Sequence, residues 1–108
     1  MNARQSSLSR GDLSTSDLKL IEVMNQIGFG RIGSFRVSNG RAIVDPKPRT
    51  YRSVNTSAEP ESPRSPWIGN YLEKRYARVI QSIRELQEGE ITRIDMQNGI
   101  PVHLEIGD

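Results

Sequence analysis

The most concentrated chemistry in this sequence is cationic. Arg31, Arg36, Arg41, Lys47, Arg49 and Arg52 fall between positions 31 and 52 with a single acid, Asp45, among them, and Tyr51 is interleaved. Cations at this density neutralise phosphates and release condensed counterions, and an exposed ring beside them offers a base a stacking surface. Arg31, Arg36, Arg41, Lys47, Arg49, Tyr51 and Arg52 are therefore the candidate nucleic-acid-binding set. Catalytic chemistry finds no comparable footing. His103 is the only histidine, and a general base needs an orienting partner that the neighbouring sequence does not supply. Glu85, Glu88 and Glu90 surround an expected helix end and read as a solvated face. The segment from Gly28 to Gly33 spells a dinucleotide fingerprint, but that motif opens a helix after a strand, whereas here it closes a helix before one. Without cysteine there is no thiolate nucleophile, disulfide or Cys-based metal site. The sequence assigns no catalytic, metal-binding or cofactor-binding residue, and the expectation is a protein that is not an enzyme and has no cofactor.

Length and composition set the frame for these residues. The 108 residues, 34% hydrophobic and 26% charged, fit one small domain, with about a quarter of the chain left over as tail or linker. The net charge of +2 is unevenly spread. Residues 1–66 hold ten basic against six acidic side chains, and residues 67–108 hold five against seven. No stretch reaches the roughly 20 apolar residues of a membrane span, and the polar opening residues lack a signal-peptide core. A soluble cytoplasmic protein with no membrane partner is the expectation.

An offset of 59 positions lays the second half of the chain on the first without a gap. Gly30 meets Gly89, Ile32 meets Ile91, Phe35 meets Ile94, Val37 meets Met96, Asn39 and Gly40 meet Asn98 and Gly99, and Ile43 meets Val102. Upstream, Leu20, Ile21, Met24 and Ile27 meet Val79, Ile80, Ile83 and Leu86, so a 3.6-residue period and a hairpin pattern are preserved together. The first helix is expected to have Thr15 or Ser16 as its N-cap, with Asp17 in its first turn, and to be ended by Gly28 and Gly30. The second is expected to start near Pro66 or Asn70, to expose Glu73, Lys74, Arg75, Arg78, Gln81 and Arg84, and to stop at Gly89.

After each helix the Asn-Gly pair between two short apolar runs signals a hairpin. Side-chain pairing favours three-residue loops with a left-handed glycine, which set Phe35 opposite Ile43, Ile94 opposite Val102 and Met96 opposite Ile100. Ile32 and Ile91 break strict alternation, so each first strand is expected to carry an irregularity, near Gly33 and Ser34 and near Thr92 and Arg93. By pattern Phe29 and Phe35 belong to the core, Trp67 and Tyr71 anchor the second helix, and His103 faces solvent or a sheet edge.

The run from Ile27 through Phe29, Gly30 and Ile32 to Asn39, Gly40 and Ile43 resembles the YezD-like family of short bacterial proteins, built from one helix, a strand, an Asp-Gly or Asn-Gly turn and a second strand. The shared features are the Phe29-Gly30 helix ending, the aliphatic strand starting at Ile32, and the turn and return at Gly40 and Ile43. The second half matches at Ile91, Asn98, Gly99 and Val102, with Glu88 where the family has an aromatic. The resemblance implies a cytoplasmic bacterial protein with a helix-plus-hairpin fold and carries no assigned activity.

These readings combine into an α+β fold of two tandem α-β-β repeats forming a four-stranded antiparallel sheet with two helices packed on one face. Its expected organisation is a disordered tail over 1–13, repeat one over 14–46, a Pro/Ser-rich linker over 47–66 and repeat two over 67–108. The expected function is a small binding or adaptor module with a protein partner, as a monomer or weak homodimer. The alternative is nucleic-acid binding through the basic hairpin.

Overall fold

Two amphipathic helices organise the core, and both begin at side-chain caps. A computed structural model describes residues 5–54, 56–57 and 64–107; residues 1–4, 55, 58–63 and 108 lie outside them. In chain order the elements are β1 (Gln5–Ser9), a 3-10 turn (Arg10–Asp12), α1 (Thr15–Asn25), β2 (Gly30–Ile32), β3 (Phe35–Ser38), β4 (Arg41–Ala42), β5 (Thr50–Arg52), β6 (Trp67–Ile68), β7 (Tyr71–Glu73), α2 (Lys74–Leu86), β8 (Gly89–Gln97) and β9 (Ile100–Gly107). Ser14, one residue ahead of the expected cap, accepts the Asp17 amide at 3.1 Å, and the Asp17 carboxylate accepts the Ser14 amide at 3.0 Å. Glu73 caps α2 by accepting the Arg75 amide and is buried rather than exposed. The segment expected to start this helix forms the β6–β7 hairpin instead. At its end Gln87, not Gly89, follows the last helical residue in the left-handed region, with φ of 63°. The expected stripes are nevertheless turned inward: Leu20, Ile21, Met24 and Ile27 from the first half and Val79, Ile80 and Ile83 from the second are buried, with Leu86 half-buried against the core and Tyr76 buried one turn before Ile80.

The fold is α+β with antiparallel sheets, but the described residues form nine strands in two sheets rather than four in one. β8 is the spine of a six-stranded sheet. One of its edges pairs with β9, and the other pairs with β3 and β2 lying end to end, while β4 and β5 flank β3 and β2. The extra strands have local causes. The expected irregularity at Gly33 and Ser34 divides one run into β2 and β3, and β8 shifts register against β9 between Ile91 and Arg93, where the second irregularity was expected. Part of the expected linker adds β5. The expected tail supplies β1, which pairs with β7 and places Leu8 in the core; only its first four residues fall outside the described ones. β1, β7 and β6 form the second sheet, and β1 and β7 lie against α2.

Both hairpins turn in two residues, not three. Asn39 and Gly40 have φ of 54° and 72°, and Asn98 and Gly99 have 53° and 77°, the paired left-handed geometry of a type I′ turn, which matches the twist of the strands it joins. Ser38 therefore opposes Arg41 and Gln97 opposes Ile100. An unbroken two-residue hairpin would set polar residues against apolar ones along β8, but a bulge after Pro101 absorbs the mismatch: Ile94 pairs with Leu104 and Asp95 with His103. Val102 and Ile43, expected opposite Ile94 and Phe35, are exposed instead. Phe35 and Ile94 find their partners across the two halves. Phe35 opposes Ile91 and Ile32 opposes Ile94, all four buried.

The second turn is also tied into the core. The Gly99 amide donates to the Gly28 carbonyl at 2.8 Å, and the Gly99 carbonyl accepts the buried Tyr76 hydroxyl at 2.5 Å. Burial pushes the Tyr76 hydroxyl up to about 12. Gly99→Val, which forces a β-branched residue into the left-handed region, is expected to cost about 2 kcal/mol and to lower Tm by roughly ten degrees. Thermal melts of the two proteins check this, and an unchanged Tm would contradict the turn geometry.

Candidate nucleic-acid interface

Both helices pack against one face of the six-stranded sheet, and on its other face Arg31 and Arg36 are exposed. Alternation sets what that face presents. With Ile32, Phe35, Val37, Ile94 and Met96 turned inward, Arg31, Arg36 and Asp95 turn outward. Arg36 is exposed on this face, between buried Phe35 and buried Val37 in the strict alternation of β3.

A single cross-strand row organises one end of the open face. Tyr51 on β5 opposes Arg31 on β2, Arg31 opposes Asp95 on β8, and Asp95 opposes His103 on β9. The Arg31 guanidinium lies over the Tyr51 ring, 4.5 Å from its centroid, so ring and cation hold each other in place while the ring stays 43% exposed. One step along, the Ser53 amide donates to the Phe29 carbonyl at 2.8 Å, extending the β2–β5 ladder by one pair. Phe29 thereby sits two residues from Arg31 on the same face, and it is 48% exposed rather than in the core. Arg52 donates to the Gln26 carbonyl at 3.3 Å, and together with Val102 and His103 these side chains line a shallow groove.

The close seating of β5 depends on Gly30. Its φ is +144°, and a Cβ there would lie 1.9 Å from the Tyr51 carbonyl oxygen. Only glycine lets the two backbones approach this closely, so the residue that closes the helix motif in the sequence also docks the strand that carries Tyr51.

The seven candidate residues separate into groups. Arg31, Tyr51 and Arg52 line the groove together. Arg49 lies next to them, and its carbonyl accepts the Gly33 amide at 2.7 Å. Lys47 is exposed on the approach to β5. Arg36 opposes Glu90 across the β3–β8 pair, which offsets its charge, and Arg41 lies at the start of α1 in a separate depression with Asp12, Asp17 and Arg84. The basic stretch is thus one cluster and two outliers rather than a continuous stripe. Asp95 tempers the cluster, being shared between Arg31 in the ladder and Arg93, whose Nε is 3.4 Å from its carboxylate. In the separate depression the Ser9 amide and hydroxyl hold the Asp12 carboxyl below its usual range. Trp67 packs against the core with Arg10 stacked on its ring at 3.9 Å, whereas Tyr71, expected as a second anchor, is 39% exposed. Among the described residues no three His, Asp or Glu side chains converge as a metal site, and no helix is long and apolar enough to cross a membrane.

Of the groove residues outside the candidate set, the Phe29 and His103 side chains show most clearly what the sequence did not report. Phe29 belongs neither to the helical period before it nor to the alternation after it, so its apolarity alone pointed inward. His103 enters only because the bulge on β9 sets it opposite Asp95. Comparison with known proteins adds no assignment: no protein-family model matches the chain, and neither a curated protein nor a solved structure is significantly similar to it.

Proposed function

We propose that this protein is a non-enzymatic binding module whose ligand is single-stranded nucleic acid, held across the open end of the six-stranded sheet. The observation that carries this reading is the exposed ring pair, Phe29 immediately before β2 and Tyr51 on the neighbouring β5, with Arg31 and Arg52 beside them. Such a surface stacks bases on rings and leaves the guanidinium groups for phosphates, and it asks for no particular sequence because every base has a π-face. Each stacked base contributes about 1–3 kcal/mol. Duplex DNA fits less well, since a nearly flat ring platform needs unpaired bases.

The test is fluorescence anisotropy of labelled single-stranded and duplex oligonucleotides over a salt series. Micromolar binding to the single strand that weakens as salt rises is the expected result. Tyr51→Ala and Phe29→Ala should each lower affinity by roughly tenfold at every salt concentration, whereas Arg31→Glu with Arg52→Glu should lower affinity and flatten the salt dependence. A flat titration at low salt would overturn the proposal and leave the protein-adaptor reading.

The same reading includes an origin by duplication of a YezD-like α-β-β unit. Four features at the 59-residue offset support it. The caps Ser14 and Glu73 are equivalent positions, and so are the two Asn-Gly turns with their matching φ values. The Gly40 amide donates to the Gln87 carbonyl at 2.9 Å while the Gly99 amide donates to the Gly28 carbonyl, one bond being the other with the halves exchanged. The strands pair in the same reciprocal way, Gly30 opposite Met96 and Val37 opposite Gly89. A pseudo-twofold axis through the junction of β2, β3 and β8 accounts for all four, and each half supplies the core surface that the other lacks.

A further inference from the structure

The groove is chemically divided across its width, and the division bears on which base it holds. Its cations, Arg31 and Arg52, come from β2 and β5, and Arg49 and Lys47 continue the charge along the approach to β5. The polar side chains that β8 turns into it are a carboxylate and an amide, Asp95 and Gln97. Phe29 lies between these two sides. Continuing the β2–β8 register past Gly30 and Met96 sets Phe29 opposite Gln97, with Asp95 diagonally next to it, and the bond from the Gly99 amide to the Gly28 carbonyl holds the two chains together at that level. A carboxylate repels phosphates, so phosphate binding alone leaves Asp95 without a role in the groove. It is open to a ligand. Its side chain is 31% exposed, and Arg93, two residues back along β8, approaches one of its oxygens at 3.4 Å, a long contact. Gln97 is exposed beside it.

The direction of a bound base follows from the division. The glycosidic bond and the Watson–Crick edge lie on opposite sides of a base, so a nucleotide stacked on Phe29 with its phosphates at the β5 cations turns that edge toward β8, where unpaired bases are read by hydrogen bonds. An ionised carboxylate only accepts, through two oxygens, and a primary amide can donate. Guanine alone sets two donors side by side, N1–H and the N2 amine, with the acceptor O6 next to them, which is the edge that a carboxylate and an amide donor complete. Adenine and cytosine place a ring-nitrogen acceptor beside their amine, where it would meet the second carboxylate oxygen lone pair to lone pair, and thymine or uracil offers one N–H between two carbonyl oxygens. We infer that Asp95 and Gln97 make the groove selective for guanine in a single strand, Asp95 accepting from N1–H and the N2 amine and Gln97 donating to O6. This rests on the single-strand reading above and adds to it: the rings and guanidinium groups hold any base, and Asp95 supplies the preference.

Fluorescence anisotropy with short thymidine oligonucleotides carrying guanine, adenine, cytosine, hypoxanthine or thymine at one central position tests it. The guanine strand should bind about tenfold tighter than the all-thymine strand, the discrimination that one bidentate pair supplies. Hypoxanthine, which lacks the N2 amine, should lose most of that gain. Asp95→Asn should erase the guanine preference and strengthen binding of the all-thymine strand, because a negative charge leaves the vicinity of the phosphates. Circular dichroism melts verify that this variant folds, and the hypoxanthine comparison is made on the unaltered chain. Equal binding of all five strands overturns the inference and leaves the single-strand reading standing. A guanine preference that survives Asp95→Asn, or that hypoxanthine shares in full, overturns it as well. Absence of binding to every strand overturns both.

Discussion

Ile32→Asp and Ile94→Asp should each abolish the cooperative thermal transition. The two side chains oppose one another on β2 and β8, both are fully buried, and the pair lies where the two halves of the chain meet. Each substitution removes roughly 2–3 kcal/mol of apolar burial and adds the cost of a carboxylate with no cation nearby, which is several kcal/mol even if the group takes up a proton. Against the 5–15 kcal/mol that stabilises an ordinary domain, either change is sufficient to unfold most of the population. Two controls separate this mechanism from a general intolerance of the sheet. Ile94→Val should cost only about 1 kcal/mol. Ile43→Asp should change stability by less than about 0.5 kcal/mol, since Ile43 is exposed although in-hairpin pairing set it opposite buried Phe35. Denaturant melts of the four variants provide the comparison, and a normal transition in Ile94→Asp would contradict the pairing of β2 with β8.

The second large effect is asymmetric. Arg84, in the last turn of α2, donates to the Asp17 carboxylate at 3.1 Å and to the Asp12 carbonyl at 2.6 Å, joining the end of one helix to the start of the other. The Asp17 side chain is 3% exposed, whereas that of Arg84 is 38% exposed. Removing Arg84 leaves a buried carboxylate with only the Ser14 amide to hold it. Removing Asp17 leaves a guanidinium that can turn to water. Arg84→Ala is therefore expected to cost about 3 kcal/mol, and Asp17→Ala about 2 kcal/mol, mostly through the lost cap. Arg84→Ala/Asp17→Asn should recover part of the larger loss, because a neutral amide tolerates burial without a cation and still accepts the Ser14 amide. Urea titrations of the three variants measure the order, and equal costs for the two single variants would indicate that the pair acts as an ordinary surface bridge.

Much of this architecture is legible in the chain because it is local. The helix stripes Leu20, Ile21, Met24 and Tyr76, Val79, Ile80 follow from the 3.6-residue period. The breaks at Gly33 and Thr92 follow from two isoleucines that spoil an alternation, and the outward turn of Arg36 follows from its parity. Each depends on neighbours within a few positions. The part of the site around Arg31, Tyr51 and Arg52 was visible as composition, but its assembly was not. Its geometry comes from β5 pairing with β2, which brings positions about twenty apart in the chain into register.

What only the tertiary structure decided concerns choices between distant partners. In-hairpin pairing argued for three-residue loops because it considered each hairpin alone; with β2 and β3 supplying the inner partners of β8, a two-residue turn and a bulge on β9 serve better. Phe29 and Val102 are exposed because nothing lies opposite them, which no local pattern reports. The segment read as a tail becomes a strand because β7 offers it an edge. The sequence by itself determined the inward stripes of the two helices and of the paired strands, since those are set by periodicity and the cost of leaving apolar surface in water. The fold determined which inward residues meet and which outward ones converge, since those depend on strand partners that the chain selects only once its halves have come together.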